Sequence, residues 1–354
     1  MRITRAVAAA VAIMVSITTA CTGNRPSSSP TSASSSTAST STSTTSSPSP
    51  NPFTGDKAWI AYQTGVGTEG VWLIHPDGTD NHQIATNVRG EPGGELLPDW
   101  SPDGKRIVFT TRGGKTEPLY TYDLATKRST QLFACKSPCL GDDEPAYSPE
   151  GTKVAFDRAL APIVDSAGDQ VPSDCGLWIG DVAMGKVIQI TSNTHPPCDR
   201  EYNARWAPDG SQLTYWRDPY KDGQPTGTSV FVINADGTHE DRLTDPKMFA
   251  GEADWSPDGK WIVFDSYPLA EFNFEPKVSN LYRMHPDGSG TEQLTHNDTA
   301  DLRATQPRYT PDGEWIIFTS VTPSSRSLWA ISAAGGEPIV IAPGGIYTHG
   351  TWQP

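Results

Sequence analysis

The chain has 354 residues, 36% of them apolar, enough for a large core, while 32 Gly and 31 Pro argue against a fold of long helices. Acidic residues outnumber basic ones 41 to 27, for a net charge of −14. A field of that sign repels nucleic acid and anionic lipid and suits cations or basic protein surfaces, although solubility alone also accounts for it.

Residues 1–20 read as an export signal: Arg2 and Arg5 make a basic start, an apolar run spans Ala6 to Ile17, and small residues precede Cys21. Residues 21–52 follow as a tether. From residue 25 it is almost entirely Ser, Thr, Pro and Ala, a composition with too little apolar surface to offset chain entropy. A flexible coil of that length reaches roughly 30 Å. The folded domain is expected over 53–354, and without Arg2, Arg5 and Arg25 the charge balance of the exported part is near −17.

Five similar stretches then divide the domain. They begin at Trp100 (WSPDGKRIVF), Tyr147 (YSPEGTKVAF), Trp206 (WAPDGSQLTY), Trp255 (WSPDGKWIVF) and Tyr309 (YTPDGEWIIF), with spacings of 47, 59, 49 and 54 residues. In each, Pro presets φ for a tight turn, Asp or Glu follows, and Gly supplies a positive φ. An apolar alternating run leaves the turn, so each copy predicts strand, turn, strand. Six outer hairpins alternate with them, at Gly70, Pro118, Gly176, Ser229, Asn280 and Ser327. Asp77-Gly78, Asp236-Gly237 and Asp287-Gly288 fit the turns of three of these; none continues as a calcium loop would. The sixth tight-turn hairpin is split. Trp352-Gln-Pro354 supplies its start and Gly55 to Tyr62 the strand that follows, so the two segments are expected to meet. The fold class predicted is all-β, a six-bladed β-propeller with four antiparallel strands per blade, closed by strands from both ends of the domain. The aromatic that opens each copy is expected to pack between blades.

Four cysteines lie in the domain, Cys135, Cys139, Cys175 and Cys198. An even number in an exported domain predicts two disulfides, and of the three pairings Cys135–Cys139 with Cys175–Cys198 closes two local loops. Zinc is the rival, without paired close-spaced cysteines or a nearby His to complete a ligand set.

Repeats of the form W-S-P-D-G-K-x-I-V-F followed by L-Y-x-M-x-P-D-G-S-x-x-x-Q-L-T resemble those of the TolB-like propeller family over residues 55–354. TolB carries an additional N-terminal α/β domain where this chain has its Ser/Thr tether, so the resemblance is to the propeller alone. Ile17-Thr-Thr-Ala-Cys21 similarly resembles a lipobox, which implies a lipid on Cys21 and attachment to the outer face of the cell membrane; Thr18 departs from the usual branched aliphatic residue. Ordinary secretory cleavage after Ala20 is the alternative.

The longest insertions, among them 158–174, 218–228 and 267–278, fall on the face opposite the tight turns, with all four domain cysteines in or beside the long loops. Function is therefore expected on that face. Three residues before each aromatic stand Leu97, Glu144, Asn203, Glu252, Gln306 and His349, at what should be the start of the inner strands. Five of the six are polar and would ring the mouth of a central channel, either to bind a small polar or cationic group or to satisfy strand backbone. Asp99, Arg205, Asp254 and Arg308 lie two residues further along and differ in charge from repeat to repeat. Tyr267, Phe272 and Phe274 form an aromatic loop that either anchors a partner or folds back. Prolyl oligopeptidases have similar repeats, but no G-x-S-x-G elbow occurs in this sequence. The expectation is a tethered, non-catalytic binding or scaffold module without a cofactor, facing a protein, peptide or cell-envelope component. The alternative is a lyase or hydrolase acting on a glycan or small molecule through Glu144, Glu252 and His349.

Overall fold

The computed structural model describes residues 51–354 apart from 65–69, 85, 87, 89–94, 113–115, 161, 165–169, 173–174, 193–199, 222–223, 268–277, 299–301 and 346. Cys21, Cys198, Phe272 and Phe274 lie outside the described residues.

The described residues are built from β-strands with one short 3-10 turn at Pro246–Met248. Four separate sheets each contain four antiparallel strands. The strands of Ala250–Gly345 form an eight-stranded sheet in which two four-strand antiparallel units touch through a parallel contact, Val278↔Leu302 and Ser279↔Arg303. Strand Tyr347–Trp352 pairs antiparallel with Ile60–Thr64, placing Ile60 opposite Trp352 and Gln63 opposite Thr348. Gln353 reinforces this seam: its backbone N–H donates to the Trp59 carbonyl at 2.7 Å and its side chain to the Gly104 carbonyl at 2.8 Å.

The repeated turn forms for local reasons. In the first copy the Gly104 N–H donates to the Ser101 carbonyl at 2.8 Å, the Ser101 hydroxyl to Asp103 at 2.6 Å, and Gly104 has φ +65°. The other four turn glycines have φ between +70° and +72°, a region where a side chain costs energy. Successive turns also touch, since a Cβ on Gly151 would lie 3.1 Å from Pro102 and one on Gly259 3.3 Å from Pro208. The outer turns likewise hold Gly78, Gly237 and Gly288 at φ +82° to +84°, and Asp77 accepts the Thr79 N–H at 3.0 Å, as a hairpin turn requires.

The core lies between neighbouring sheets. Trp100 packs with Val71 and Leu73 of one sheet and Ile107 and Phe109 of the next, and the indoles of Trp100 and Trp206 donate to the Thr351 and Ala146 carbonyls at 3.1 Å each. Trp100, Tyr147, Trp206, Trp255 and Tyr309 are buried as expected, each removing on the order of 150–250 Å² from water. Phe53, ahead of the first strand, stands edge-on to Trp315 and Trp352, so the start of the domain is packed rather than loose.

Candidate functional site

Six inner strands carry the candidate residues: Glu95–Trp100, Cys139–Tyr147, Arg200–Trp206, Ala250–Trp255, Leu302–Tyr309 and Tyr347–Trp352. Leu97, Glu144, Asn203, Glu252, Gln306 and His349 all have φ between +46° and +59°, the left-handed region, and each coincides with a register shift against the neighbouring strand. They occupy β-bulges within the strands, not the strand starts that the sequence suggested. Left-handed backbone at a non-glycine residue costs on the order of 1–3 kcal/mol, so six repetitions require compensation from the surroundings.

Part of that compensation is hydrogen bonding of the bulge amides. The Leu97 N–H donates to Gln63 Oε1 at 2.7 Å, the Gln306 N–H to Asp265 Oδ2 at 3.1 Å and the His349 N–H to Gln306 Oε1 at 3.1 Å. Gln63 and Asp265 lie in the second strands of their sheets, within apolar runs, where no sequence pattern marked them. Backbone satisfaction thus accounts for one side of Gln306.

The remaining polar atoms converge. Asn203 Nδ2 donates to Glu252 Oε2 at 2.7 Å, and Arg308 Nη2 donates to Asn203 Oδ1 at 2.9 Å while standing 3.9 Å from Glu252. His349 Nε2 lies 4.0 Å from Glu252 Oε1. One ligand atom from each of Glu144, Glu252 and His349 falls within 4.8 Å of the others. Glu144 Oε2 is buried without a hydrogen-bond partner. Leu97 is the apolar exception of the six.

Burial, followed by the Asp157 and Glu252 charges, pushes the Glu144 carboxyl well above the usual range. Burial also raises Glu252, against the pull of Arg308 and Arg205. Asp265 is raised to about 7 by burial and the Glu252 charge. His349 moves the other way, well down, through burial and the Arg308 and Arg205 charges. Its contacts agree. Gln306 Nε2 lies 2.9 Å from His349 Nε2 and Gln63 Nε2 lies 3.0 Å from His349 Nδ1, and both amide oxygens are already committed as acceptors. Two amide donors facing one ring leave no place for an imidazolium, which would donate from both nitrogens. The result is a neutral imidazole beside two buried carboxyl groups, and a cation placed among them would favour the charged form of both acids. Cys135, Cys139 and Asp142 also lie close together, but the two sulfurs are joined in a disulfide and Asp142 receives Arg158 at 2.6 and 2.9 Å.

The expected Cys135–Cys139 bridge is present. Cys175 is disulfide-bonded. Tyr267 is not an exposed anchor: its N–H donates to the Met248 carbonyl at 3.2 Å, its hydroxyl lies 3.4 Å from Thr305 Oγ1, and burial raises its pKa. Asp99 and Asp254, two residues beyond their bulges, each accept the N–H of an aromatic on another inner strand, Tyr147 and Tyr309, at 2.9 Å. Asp99, Arg205 and Asp254 line a cavity of about 220 Å³ whose wall includes the turn prolines Pro102 and Pro149. This cavity lies toward the tight turns, the face on which the sequence predicted no function, and its lining includes residues of the inner strands.

These sheets define a β-propeller with antiparallel four-stranded blades. No family model matches the chain. It is similar to an uncharacterized protein of Agrobacterium fabrum, 26% identical over 63% of this chain and 64% of the relative. The fold is similar to TolB from Acinetobacter baumannii, with TM-score 0.62 and 18% identity over 84% of this chain and 67% of that one. It is also similar to an oligogalacturonate lyase in complex with manganese, with TM-score 0.54 and 17% identity over 77% and 70%. The domain is a TolB-like β-propeller. The chain spans less than two thirds of the length of the curated relatives it matches first, 46% in the case of Tol-Pal system protein TolB of Francisella tularensis.

Proposed function

We propose that this protein is a non-catalytic binding module outside the cytoplasm, a six-bladed propeller that takes a cationic group of a cell-envelope protein or peptide at its axis. The eight-stranded sheet counts as two blades, and the pairing of Tyr347–Trp352 with Ile60–Thr64 supports closure of the ring by both ends of the domain. Residues 1–20 serve as the export signal and 21–52, lipidated at Cys21, as the tether. One curated relative is named for the Tol-Pal system, which favours a protein partner. The observation that carries the reading is the convergence of Glu144, Glu252 and His349 with a buried, unpartnered carboxylate oxygen. Either a basic side chain or a metal ion would satisfy that oxygen. Phe272 and Phe274 would serve as further contacts for that partner.

The test is cross-linking on intact cells with mass spectrometry, comparing the unaltered chain with Glu144→Gln/Glu252→Gln. Loss of one dominant partner in the variant supports the axis as its site; undiminished capture by a folded variant refutes it. Titration of both proteins with calcium and manganese separates metal from side chain as the cation. An enzyme is the second reading, favoured by the manganese-bound lyase of similar fold and by the carboxylate–imidazole cluster. Among the described residues the cluster fits the ion, with Glu144, Glu252 and His349 as its holders and Lewis acidity as what the ion would supply. Manganese-dependent turnover of oligogalacturonate would establish that reading over the first.

A further inference from the structure

The cavity on the tight-turn side is separate from the Glu144–Glu252–His349 cluster, and its chemistry points elsewhere. Its most unusual member is Arg205. The side chain is 11% exposed, yet its one hydrogen bond among the described residues is a long 3.4 Å contact from Nη1 to the Pro145 carbonyl. Asp99 Oδ1 stands 3.7 Å from Nη1, beyond hydrogen-bond reach, and Nε is buried without a partner. A guanidinium has five donors in a planar fork matched to a carboxylate. Paired with Asp99 at ion-pair distance but without a direct hydrogen bond to it, the guanidinium keeps terminal N–H groups for an anion.

Two carboxylates share the same cavity. Asp254 gives Oδ2 to the Tyr309 N–H, and its other oxygen takes no hydrogen bond among the described residues. Asp99 is held by the Tyr147 N–H and stands 3.4 Å from the Thr351 hydroxyl. These bonds fix both carboxylates on rigid inner strands, with a free acceptor left on Asp254. A simple anion would be attracted to Arg205 and repelled by both acids; a simple amine would meet the reverse. Only a molecule carrying both charges answers the whole lining. A volume of about 220 Å³ equals some seven waters at ~30 Å³ each, and lies below the ~300–1,000 Å³ of drug-sized sites. That suits a compact molecule. The Trp100 and Trp206 rings wall the cavity with apolar surface and are pinned by their indole hydrogen bonds.

We propose that this cavity is a binding site for a small zwitterion, a free α-amino acid, whose carboxylate pairs with Arg205 and whose ammonium pairs with Asp254 and Asp99. No bond is made or broken; the site captures and releases.

The experiment is isothermal titration of the full chain, in buffer with EDTA, against the common α-amino acids, acetate and ethylamine. At least one amino acid should bind about tenfold or more tighter than acetate or ethylamine, since each lost charge-assisted contact costs about that factor. In Asp254→Asn, which keeps an acceptor for the Tyr309 N–H, amino-acid affinity should fall about tenfold while weak acetate binding persists. Arg205→Gln should weaken amino acids and acetate alike and spare ethylamine. Retention of a cooperative thermal transition shows that each variant is folded. Should either fail to fold, the three probes on the unaltered chain decide alone. The proposal is overturned if no amino acid binds, leaving a cavity filled by water only, if acetate or ethylamine binds as tightly as any amino acid, or if both folded variants retain full affinity.

Discussion

Replacing Asp265 by Asn should abolish the pH dependence that this one residue contributes to stability. Asp265 is fully buried, accepts the Thr305 hydroxyl and the Gln306 N–H through Oδ2, and leaves Oδ1 buried without a partner. Burial first, and the Glu252 charge second, raise its pKa to about 7, against ~3.9 in an unfolded chain. Between those values the folded protein holds a proton that the unfolded chain has released. The stabilisation is therefore complete below about pH 4 and is lost as pH rises through about 7. Integrated from about pH 4.5 to about pH 8, the loss amounts to roughly 3 kcal/mol at ~1.4 kcal/mol per pKa unit. Asn accepts the same two hydrogen bonds and carries no charge at any pH. Urea denaturation of both proteins across this range should show Asp265→Asn gaining on the parent by that amount, with equal slopes against urea. A stability difference that stays constant within ~0.5 kcal/mol from acid to alkaline pH, an interval set by normal mutational error, would refute the idea that Asp265 is held protonated.

Two other substitutions test packing, one between sheets and one within a sheet. A methyl group on Gly180 would lie 2.2 Å from Cζ of Phe133, so Gly180→Ala should cost about 1–3 kcal/mol by overpacking, measured by chemical denaturation. Arg158 pairs with the buried Asp142 and lies between Phe156 and Trp178; Arg158→Leu should cost about 3–5 kcal/mol by stranding the carboxylate. Adding Asp142→Leu to that variant should restore part of the loss, and a further loss would show that the pair does not act as a unit.

The turn copies were legible because their chemistry is local: Pro, Asp and Gly each answer a dihedral requirement within four residues. The bulge positions were legible as a set, being a fixed distance from each aromatic, but their left-handed backbone was not. Glu, Asn, Gln and His share no property that announces it, and Leu97 adopts it with an apolar side chain. The amide partners Gln63 and Asp265 were harder still, since each sits on a different strand from the bulge it serves and in an apolar run. Charge variation among Asp99, Arg205 and Asp254 was visible, yet its cavity was not. Sequence spacing says which residues occur at equivalent places, not how far a guanidinium reaches between strands.

The strand that carries His349 pairs with one made near the start of the domain; Gln63 and His349 touch across 286 residues. At the usual ~5–20 residues per second a ribosome needs roughly 15–60 s to span that interval. Throughout it Tyr62 and Ile60 await their covering strand, and Glu144 and Glu252 await the His349 imidazole. A chain cut short before Tyr347 therefore lacks both the seam with Ile60–Thr64 and the imidazole of the Glu144–Glu252–His349 cluster.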